Sequence, residues 1–149
     1  MTTVELPPPL PIVGNYLLAK RYRDLVFVSG HVPLAPDRPD VIRGKVGADL
    51  TVEEAREAAR ITTLYLLSTL RSEIGSLDRV HSIVKVFGSV NAAPGFTDTP
   101  AVIDGSSDLL VEVFGPDVGR HARAAIGVAE LPENAAVEIE MVVAVKEAP

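Results

Sequence analysis

The stretch Ala135-Ala-Val-Glu-Ile-Glu-Met-Val-Val-Ala-Val145 carries the longest alternation of apolar side chains in the chain. Alternation with a period of two is typical of a β-strand, because successive side chains point to opposite faces. The turn Leu131-Pro-Glu-Asn134 precedes this stretch, and a shorter alternation from Ala122 to Val128 precedes the turn. The chain is therefore predicted to close with two strands.

A helix is predicted upstream, where Thr51-Val-Glu-Glu54 has the pattern of a capping box. The threonine hydroxyl can accept from the Glu54 amide while the Glu54 side chain reaches back. Apolar residues then recur at spacings of three and four up to Ile74, which predicts an amphipathic helix. Gly75 is expected to end it.

The remaining elements follow from the same periodicities. Strands are predicted at 17–21 and 25–29 around an Arg23-Asp24 turn, and from Val80 to Val90. A second helix is predicted from about Thr97 or Asp98 to about Phe114. The order ββ-α-β-α-ββ predicts an α+β fold with two helices on one face of a mixed sheet.

Proline and glycine content indicates which parts of the chain lie outside the helices and strands. Residues 1–13 hold four prolines and are expected to be extended and poorly ordered. Residues 33–47 hold three prolines and two glycines and are expected to form a loop. Residues 14–149 are expected to form one domain.

The face of the sheet away from the helices is also expected to be apolar, and an uncovered apolar face indicates an interface. Oligomerisation is the simplest explanation. The residues assigned to this face are Ile83, Phe87, Val142 and Ala144.

Composition argues against several classes of protein. The net charge is -6 and aromatic residues make up 5%, whereas nucleic-acid binding favours basic patches with interleaved aromatics. The one dense basic stretch, Lys20-Arg-Tyr-Arg23, is expected on a hairpin. We expect no nucleic-acid partner. The chain also lacks cysteine, a long apolar run and a basic segment ahead of an apolar one, so we expect a cytoplasmic protein without a membrane partner.

Arg123 is the most informative candidate site residue, because it interrupts a strand of small and apolar residues. A sheltered arginine needs an anion beside it, and its planar fork suits a carboxylate. That anion is either a ligand or a glutamate on the next strand, Glu138 or Glu140, and residue chemistry alone favours the glutamate. Alternation predicts that Arg123 points toward a cleft with His121 and Ala125, while the core receives Ala122, Ala124 and Ile126.

Other candidates are weaker. Ser29 and His31 lie two residues apart without a nucleophile-elbow motif or an orienting acid, which makes a catalytic triad a poor interpretation. The three histidines show no metal-ligand spacing. We therefore expect no metal site.

Several short motifs together resemble the Rid family, the reactive intermediate deaminases also called the YjgF family. Their order and spacing carry the resemblance from Gly14 to Val145, and no single motif does. The motifs are Gly14-Asn-Tyr16, Val28-Ser-Gly-His31, the helix capped at Thr51, Leu77-Asp-Arg-Val80, Ala122-Arg-Ala124, Leu131-Pro132 and Val137-Glu-Ile-Glu140. Longer segments resemble a divergent branch of the family, among them Ala93-Pro-Gly-Phe-Thr-Asp98 and Gly119-Arg-His-Ala-Arg123.

The resemblance implies a chorismate-mutase-like fold and a homotrimer with clefts between subunits. It also implies hydrolysis of enamines and imines to 2-keto acids and ammonia without a cofactor. Arg123 would hold the substrate carboxylate, Glu138 would position or activate water, and Tyr16 and Ser29 would line the pocket. The backbone near Ala125 would help to orient water.

Three positions depart from the family pattern. Asp104 stands where asparagine is frequent, Ala125 where cysteine is frequent, and His31 where glutamine is usual. The resemblance implies that all three belong to the substrate-binding pocket. A carboxylate at Asp104 is expected to disfavour an anionic substrate unless a cation neutralises it. The retained Arg123 nevertheless favours a carboxylate ligand, so an imine deaminase is the leading hypothesis. A non-catalytic regulatory trimer that binds a small metabolite is the second, and an endoribonuclease is the third.

Overall fold

The computed structural model describes residues 1–35 and 40–147. Within them the predicted order of elements is confirmed. The strands are β1 (Ala19–Tyr22), β2 (Leu25–His31), β3 (Val80–Asn91), β4 (Ala122–Val128) and β5 (Val137–Val145), and the helices are α1 (Val52–Ile74) and α2 (Thr99–Gly119).

Helix α1 begins and ends where the sequence indicates. The Thr51 hydroxyl accepts a hydrogen bond from the Glu54 amide at 3.1 Å, and the Glu54 carboxylate accepts one from the Thr51 amide at 3.3 Å. Both orphan donors of the first turn are thereby satisfied. Gly75, at φ 85°, adopts the left-handed backbone that closes the last turn.

The sheet has the strand order β1-β2-β5-β3-β4. Neighbouring strands are antiparallel except β3 and β4, which are parallel, so the predicted mixed sheet is confirmed. Both helices pack on one face, which we call the helix face. The opposite face is called the open face.

Glycines set the close approach of the helices to each other and to the sheet. A Cβ on Gly105 of α2 would lie 2.1 Å from the backbone oxygen of Arg56 of α1. A Cβ on Gly88 of β3 would lie 2.6 Å from the Ile103 side chain of α2. No larger residue fits either position without moving backbone or a buried side chain.

Helix α2 consists of two helical stretches separated at Gly115. Gly115 has φ 80° and ψ 168°, which is not helical, so the first stretch ends at Phe114, where the sequence predicts the end. A short second stretch from Pro116 to Gly119 follows across the kink. The extension to Gly119 brings the chain directly to the start of β4.

The prediction that Ile83 lies on the open face is wrong, because the pairing of β3 with β5 is irregular. The register with β5 shifts between Val80 and Ser82 and again between Ile83 and Lys85. Extra residues in one strand reverse the faces of the residues that follow. Ile83 is therefore buried in the core between sheet and helices, and Val84 is exposed instead.

Residues 1–13 form neither a helix nor a strand, and their first half is held against the two helices. The Thr2 amide donates to the Val113 carbonyl of α2 at 2.9 Å, and the Ser68 hydroxyl of α1 donates to the Pro7 carbonyl at 2.6 Å. Val4 and Leu6 pack against the core cluster. The segment therefore crosses the outer surface of both helices.

The loop predicted at 33–47 contains residues 36–39, which lie outside the described part of the chain. The flanking residues form isolated bridges between Leu34 and Val41 and between Arg43 and Ala135. In the described ranges, no helix is both long and apolar enough to cross a membrane.

Candidate functional site

Arg123 contacts a different acid from the two glutamates considered from the sequence. Its Nη1 donates to Asp104 Oδ1 at 2.8 Å and to Ser107 Oγ at 3.1 Å. Both partners belong to α2, so the side chain lies on the helix face. The expected pairing with Glu138 or Glu140 is wrong.

The orientation of β4 is the reverse of the expected one. Arg123 pairs with Val86, which is fully buried beneath the helices, and paired residues share a face. Ile126 is instead 43% exposed on the open face, where Ala122 and Ala124 also lie. The alternation was predicted correctly, but small residues on an edge strand do not reveal which face is buried.

Four polar residues meet where α2 packs on β4, and we call them the edge cluster: Asp104, Ser107, His121 and Arg123. His121 Nδ1 donates to the Gly119 carbonyl at 2.7 Å. This bond leaves Nε2 of the neutral ring as an acceptor, and the Ser107 hydroxyl lies 2.9 Å from it. Burial, and then the charge of Arg123, lower the pKa of His121 below its ordinary 6.5, although the Gly119 bond opposes them.

Ser107 and His121 were not among the site residues predicted from the sequence. A helical spacing of three joins Asp104 to Ser107, and a strand spacing of two joins His121 to Arg123. Each spacing places its pair on one face of its element. That pattern was visible in the sequence, but the pairing of the two elements was not.

Arg123 keeps part of its guanidinium available. Within the described residues, only Nη1 has a hydrogen-bond partner, and the side chain is 23% exposed. Nε and Nη2 form the second edge of the planar fork and can bind a carboxylate in bidentate fashion. Asp104 is itself 43% exposed and offsets the charge of the guanidinium.

Glu138 lies on the open face, where it packs against Gly30. A Cβ on Gly30 would stand 2.6 Å from Glu138 Oε1, so the glycine makes room for the carboxylate. Burial is the main cause that raises the pKa of Glu138 above its ordinary 4.5, and the charge of Glu140 raises it further. A raised pKa suits a carboxylate that accepts and returns protons near neutral pH.

Ser29 lies on the open face and contacts the segment that holds Tyr16. The Ser29 hydroxyl donates to the Leu17 carbonyl at 2.6 Å, and the exposed Tyr16 directly precedes Leu17. Ser29 also lines a groove of about 380 Å³ whose other walls include Phe27, Phe87 and Val142. We call Tyr16, Ser29, Gly30 and Glu138 the open-face group.

His31 does not join that group. Its Nδ1 donates to the Ser29 carbonyl and its Nε2 accepts from the Thr69 hydroxyl of α1, both at 2.7 Å. The side chain is buried on the helix face, and burial lowers its pKa. His31 is a satisfied core histidine, and its predicted place in a ligand pocket is not supported.

Ala125 lies on the helix face beside Arg123 and packs against the core. Its carbonyl accepts from the Thr99 hydroxyl at 3.0 Å. Nowhere in residues 1–35 and 40–147 do three or more histidine, aspartate or glutamate side chains gather in a metal-binding group.

The family model "YjgF/chorismate_mutase-like, putative endoribonuclease" matches residues 1–144. The chain belongs to the YjgF family. Two helices packed on a mixed five-stranded sheet are the fold of this family, which confirms the expected chorismate-mutase-like architecture.

Similar proteins carry different names. Protein TCP17 of Trypanosoma cruzi is 41% identical over 94% of this chain and 87% of its own length. A 2-iminobutanoate/2-iminopropanoate deaminase of Dermatophagoides farinae is 28% identical over 93% of this chain and 91% of its own length. A crystal structure of a "putative endoribonuclease" from Shewanella oneidensis superposes with a TM-score of 0.89 at 30% identity, over 95% and 93% of the two chains.

In this YjgF-family chain the residues singled out by the resemblance divide between two surfaces. The edge cluster holds Arg123 and Asp104 on the helix face, and the open-face group holds Glu138, Ser29 and Tyr16. Val86 pairs with Arg123 on one side and with Met141 on the other, so the three side chains share the helix face. Glu138 lies three positions before Met141 on β5, so its side chain points to the opposite face. One chain does not bring Arg123 and Glu138 together across the sheet.

Proposed function

We propose that this YjgF-family protein hydrolyses small 2-imino acids to 2-keto acids and ammonia. The observation that carries the proposal is the partly free guanidinium of Arg123, held at a half-exposed edge by Asp104 and Ser107. The similarity to an imino-acid deaminase over most of the chain supports it.

Arg123 would bind the substrate carboxylate through Nε and Nη2. Its Nη1 is already fixed by two hydrogen bonds, so the fork is preorganised before the ligand arrives. An imine carbon is electrophilic without activation by a cofactor, so anchoring the substrate beside a placed water can supply much of the catalysis. No metal or organic cofactor is part of this proposal.

Glu138 would activate the water. A carboxylate with a raised pKa can take a proton from water as it attacks the imine carbon and pass it to the departing ammonia. Ser29 and Tyr16 would line the same pocket. Ala125 would contribute only backbone, and we leave His31 out of the site because both of its ring nitrogens are occupied.

The site would lie between subunits. Arg123 and Glu138 lie on opposite faces of one sheet, so a substrate that touches both needs one of them from a second copy. The open face also presents apolar side chains such as Phe27, Val84 and Ile126 that a second copy would cover. A homotrimer with three clefts between subunits satisfies both requirements.

A regulatory trimer that binds a metabolite without turnover is the second candidate. The Asp104 pair favours it, since a guanidinium offset by a carboxylate holds an anionic substrate less strongly. RNA cleavage ranks third, because a chain with a net charge of -6 repels a phosphate backbone.

The deciding experiment follows ammonia and keto-acid release from freshly generated 2-imino acids. Arg123→Ala should abolish turnover while the assembly keeps its mass, because Asp104 is exposed enough to be solvated alone. Arg123→Lys should retain little activity, since an ammonium lacks the two-pronged contact. Asp104→Asn should lower KM, because it restores the full charge of the anchor. His81→Gln, at an exposed histidine on β3, is the control.

Wild-type protein that binds 2-keto acids but releases no ammonia would favour the regulatory trimer. Arg123→Ala protein that turns over normally would remove Arg123 from the site. An early-melting Arg123→Ala variant that dissociates would show that the Asp104 pair serves the fold.

A further inference from the structure

In the proposed deamination Ser107 only holds Arg123 and His121 has no role, yet the geometry of the two residues is that of an activated nucleophile. The hydroxyl oxygen lies 2.9 Å from His121 Nε2, within the reach of a general base. The opposite ring nitrogen donates to the Gly119 carbonyl at 2.7 Å. That bond fixes the ring and the tautomer, as the third member of a catalytic triad does.

The charges around the pair suit the same purpose. Arg123 Nη1 donates to Ser107 Oγ at 3.1 Å, so a cation stands beside the atom that would become an alkoxide. Arg123 of β4 contacts Ser107 directly, and Asp104 of α2 in turn contacts Arg123. A lowered pKa keeps His121 neutral and able to accept a proton at physiological pH.

The direction of the hydrogen bonds is consistent. The guanidinium donates to the serine oxygen, the serine hydroxyl donates to His121 Nε2, and His121 Nδ1 donates to a carbonyl. Ser107 Oγ therefore keeps one lone pair for attack. Ser107 and His121 are both half-buried, so a small ligand can still reach the pair.

We propose that Ser107 is a nucleophile activated by His121, and that the edge cluster hydrolyses small acyl esters. Ser107 Oγ forms a bond to the ester carbonyl carbon while its proton moves to His121 Nε2, and the oxyanion that results faces Arg123. The bond to the alcohol oxygen then breaks, and the alcohol takes the proton from His121. Water repeats the sequence on the acyl-serine, giving the proton to His121, releasing the carboxylic acid and returning the proton to Ser107. Imine hydrolysis is not needed for this activity.

The experiment uses the intact wild-type protein and p-nitrophenyl acetate. We expect release of p-nitrophenolate and, after acid quench, a chain heavier by one acetyl group located on Ser107. Ser107→Ala should lose both. His121→Gln should slow acetylation by about 10²- to 10⁴-fold, the usual contribution of a general base, with an unchanged melting temperature.

Matched controls are available outside the cluster. Ser72→Ala, at an exposed serine of α1, and His81→Gln, at an exposed histidine of β3, should behave as wild type. Acetylation of Ser107→Ala at the wild-type rate would overturn the proposal, because the acetyl group would then sit on a lysine or the N-terminal amine. Wild-type protein that gains no acetyl group would overturn it as well.

A second measurement applies if Ser107→Ala does not fold. The chain has no cysteine, so Ser107→Cys creates a single thiol. At neutral pH iodoacetamide should alkylate it faster than the thiol of Ser72→Cys, and adding His121→Gln should remove the difference. Equal rates for the two thiols would mean that Ser107 and His121 only support Arg123, and the nucleophile would be rejected.

Discussion

The two faces of the sheet differ in what covers their apolar side chains. On the helix face, buried valines of β3 and β5 meet the helices, and glycines at 88 and 105 let the backbones and side chains close up. On the open face, Phe27, Val84 and Ile126 are exposed beside a groove with charged walls. Helices of the same chain cover the helix face, whereas no helix of residues 1–35 and 40–147 covers the open face.

The polar residues follow the same division. On the helix face, Arg123 has two protein partners and His31 is fully satisfied. On the open face, Glu138 is half-buried with a raised pKa. One face of a strand can therefore pack against helices of its own chain while the other face remains available to other chains.

The largest effect is expected from breaking the helix face with Gly105→Ala. The new Cβ would meet the Arg56 backbone oxygen at 2.1 Å, which forces α1 and α2 apart. Overpacking of this kind costs about 3 kcal/mol, more than the roughly 1 kcal/mol that alanine gains over glycine inside a helix. Urea unfolding measures the loss. Glu112→Ala, at an exposed position of α2, should change the unfolding free energy by less than about 1 kcal/mol.

An intermediate effect is expected from Phe27→Asp on the open face. Phe27 is exposed, so the isolated chain should keep its circular dichroism and most of its stability. If the open face is the interface of the proposed trimer, a charge placed there should break the assembly, and sedimentation should then give a mass near 15.8 kDa instead of three times that value. Glu57→Lys, on the outer surface of α1, should leave the mass unchanged. A Phe27→Asp protein that remains trimeric would place the interface elsewhere.

The smallest effect is expected from Glu138→Gln and concerns pH. Because the pKa of Glu138 is raised in the folded chain, the folded state holds this proton more tightly than the unfolded state does. The unfolding free energy should therefore fall as pH rises from 4.5 toward the raised pKa. The glutamine variant lacks this dependence, so its stability relative to wild type should grow across that range. A constant difference would mean that solvent relieves the burial of Glu138.

The elements themselves were predictable because their signals are local. The capping box at Thr51, the glycine at 75 and the alternation from 135 to 145 depend on residues close in sequence, and the structure confirms them. The break of α2 at Gly115 followed from a local signal as well, because a glycine and a proline together interrupt a helix. The short helical stretch from Pro116 to Gly119 that follows it was not predicted.

The sequence pointed to candidate site residues but not to the contacts that they make. Motif order pointed to Arg123 and Glu138, but the partner of Arg123 was wrong, because Asp104 lies 19 residues away on a helix and not on the adjacent strand. Ile83 was placed on the wrong face for a related reason. A bulge in one strand is set by its partner strand and reverses the faces without a clear trace in the apolar pattern.

The sequence by itself determined the order of helices and strands, the family and the absence of cysteine chemistry, because each depends on residue identity and short-range spacing. Only the tertiary structure decided which face each strand buries, that Asp104 neutralises Arg123, and that Ser107 meets His121. The physical reason is that a β-strand with small residues on both sides has no inherent inside. The helix that packs on such a strand decides which of its faces is buried. Here α2 covers one face of the edge strand β4, and the polar residues of α2 contact Arg123 on that face.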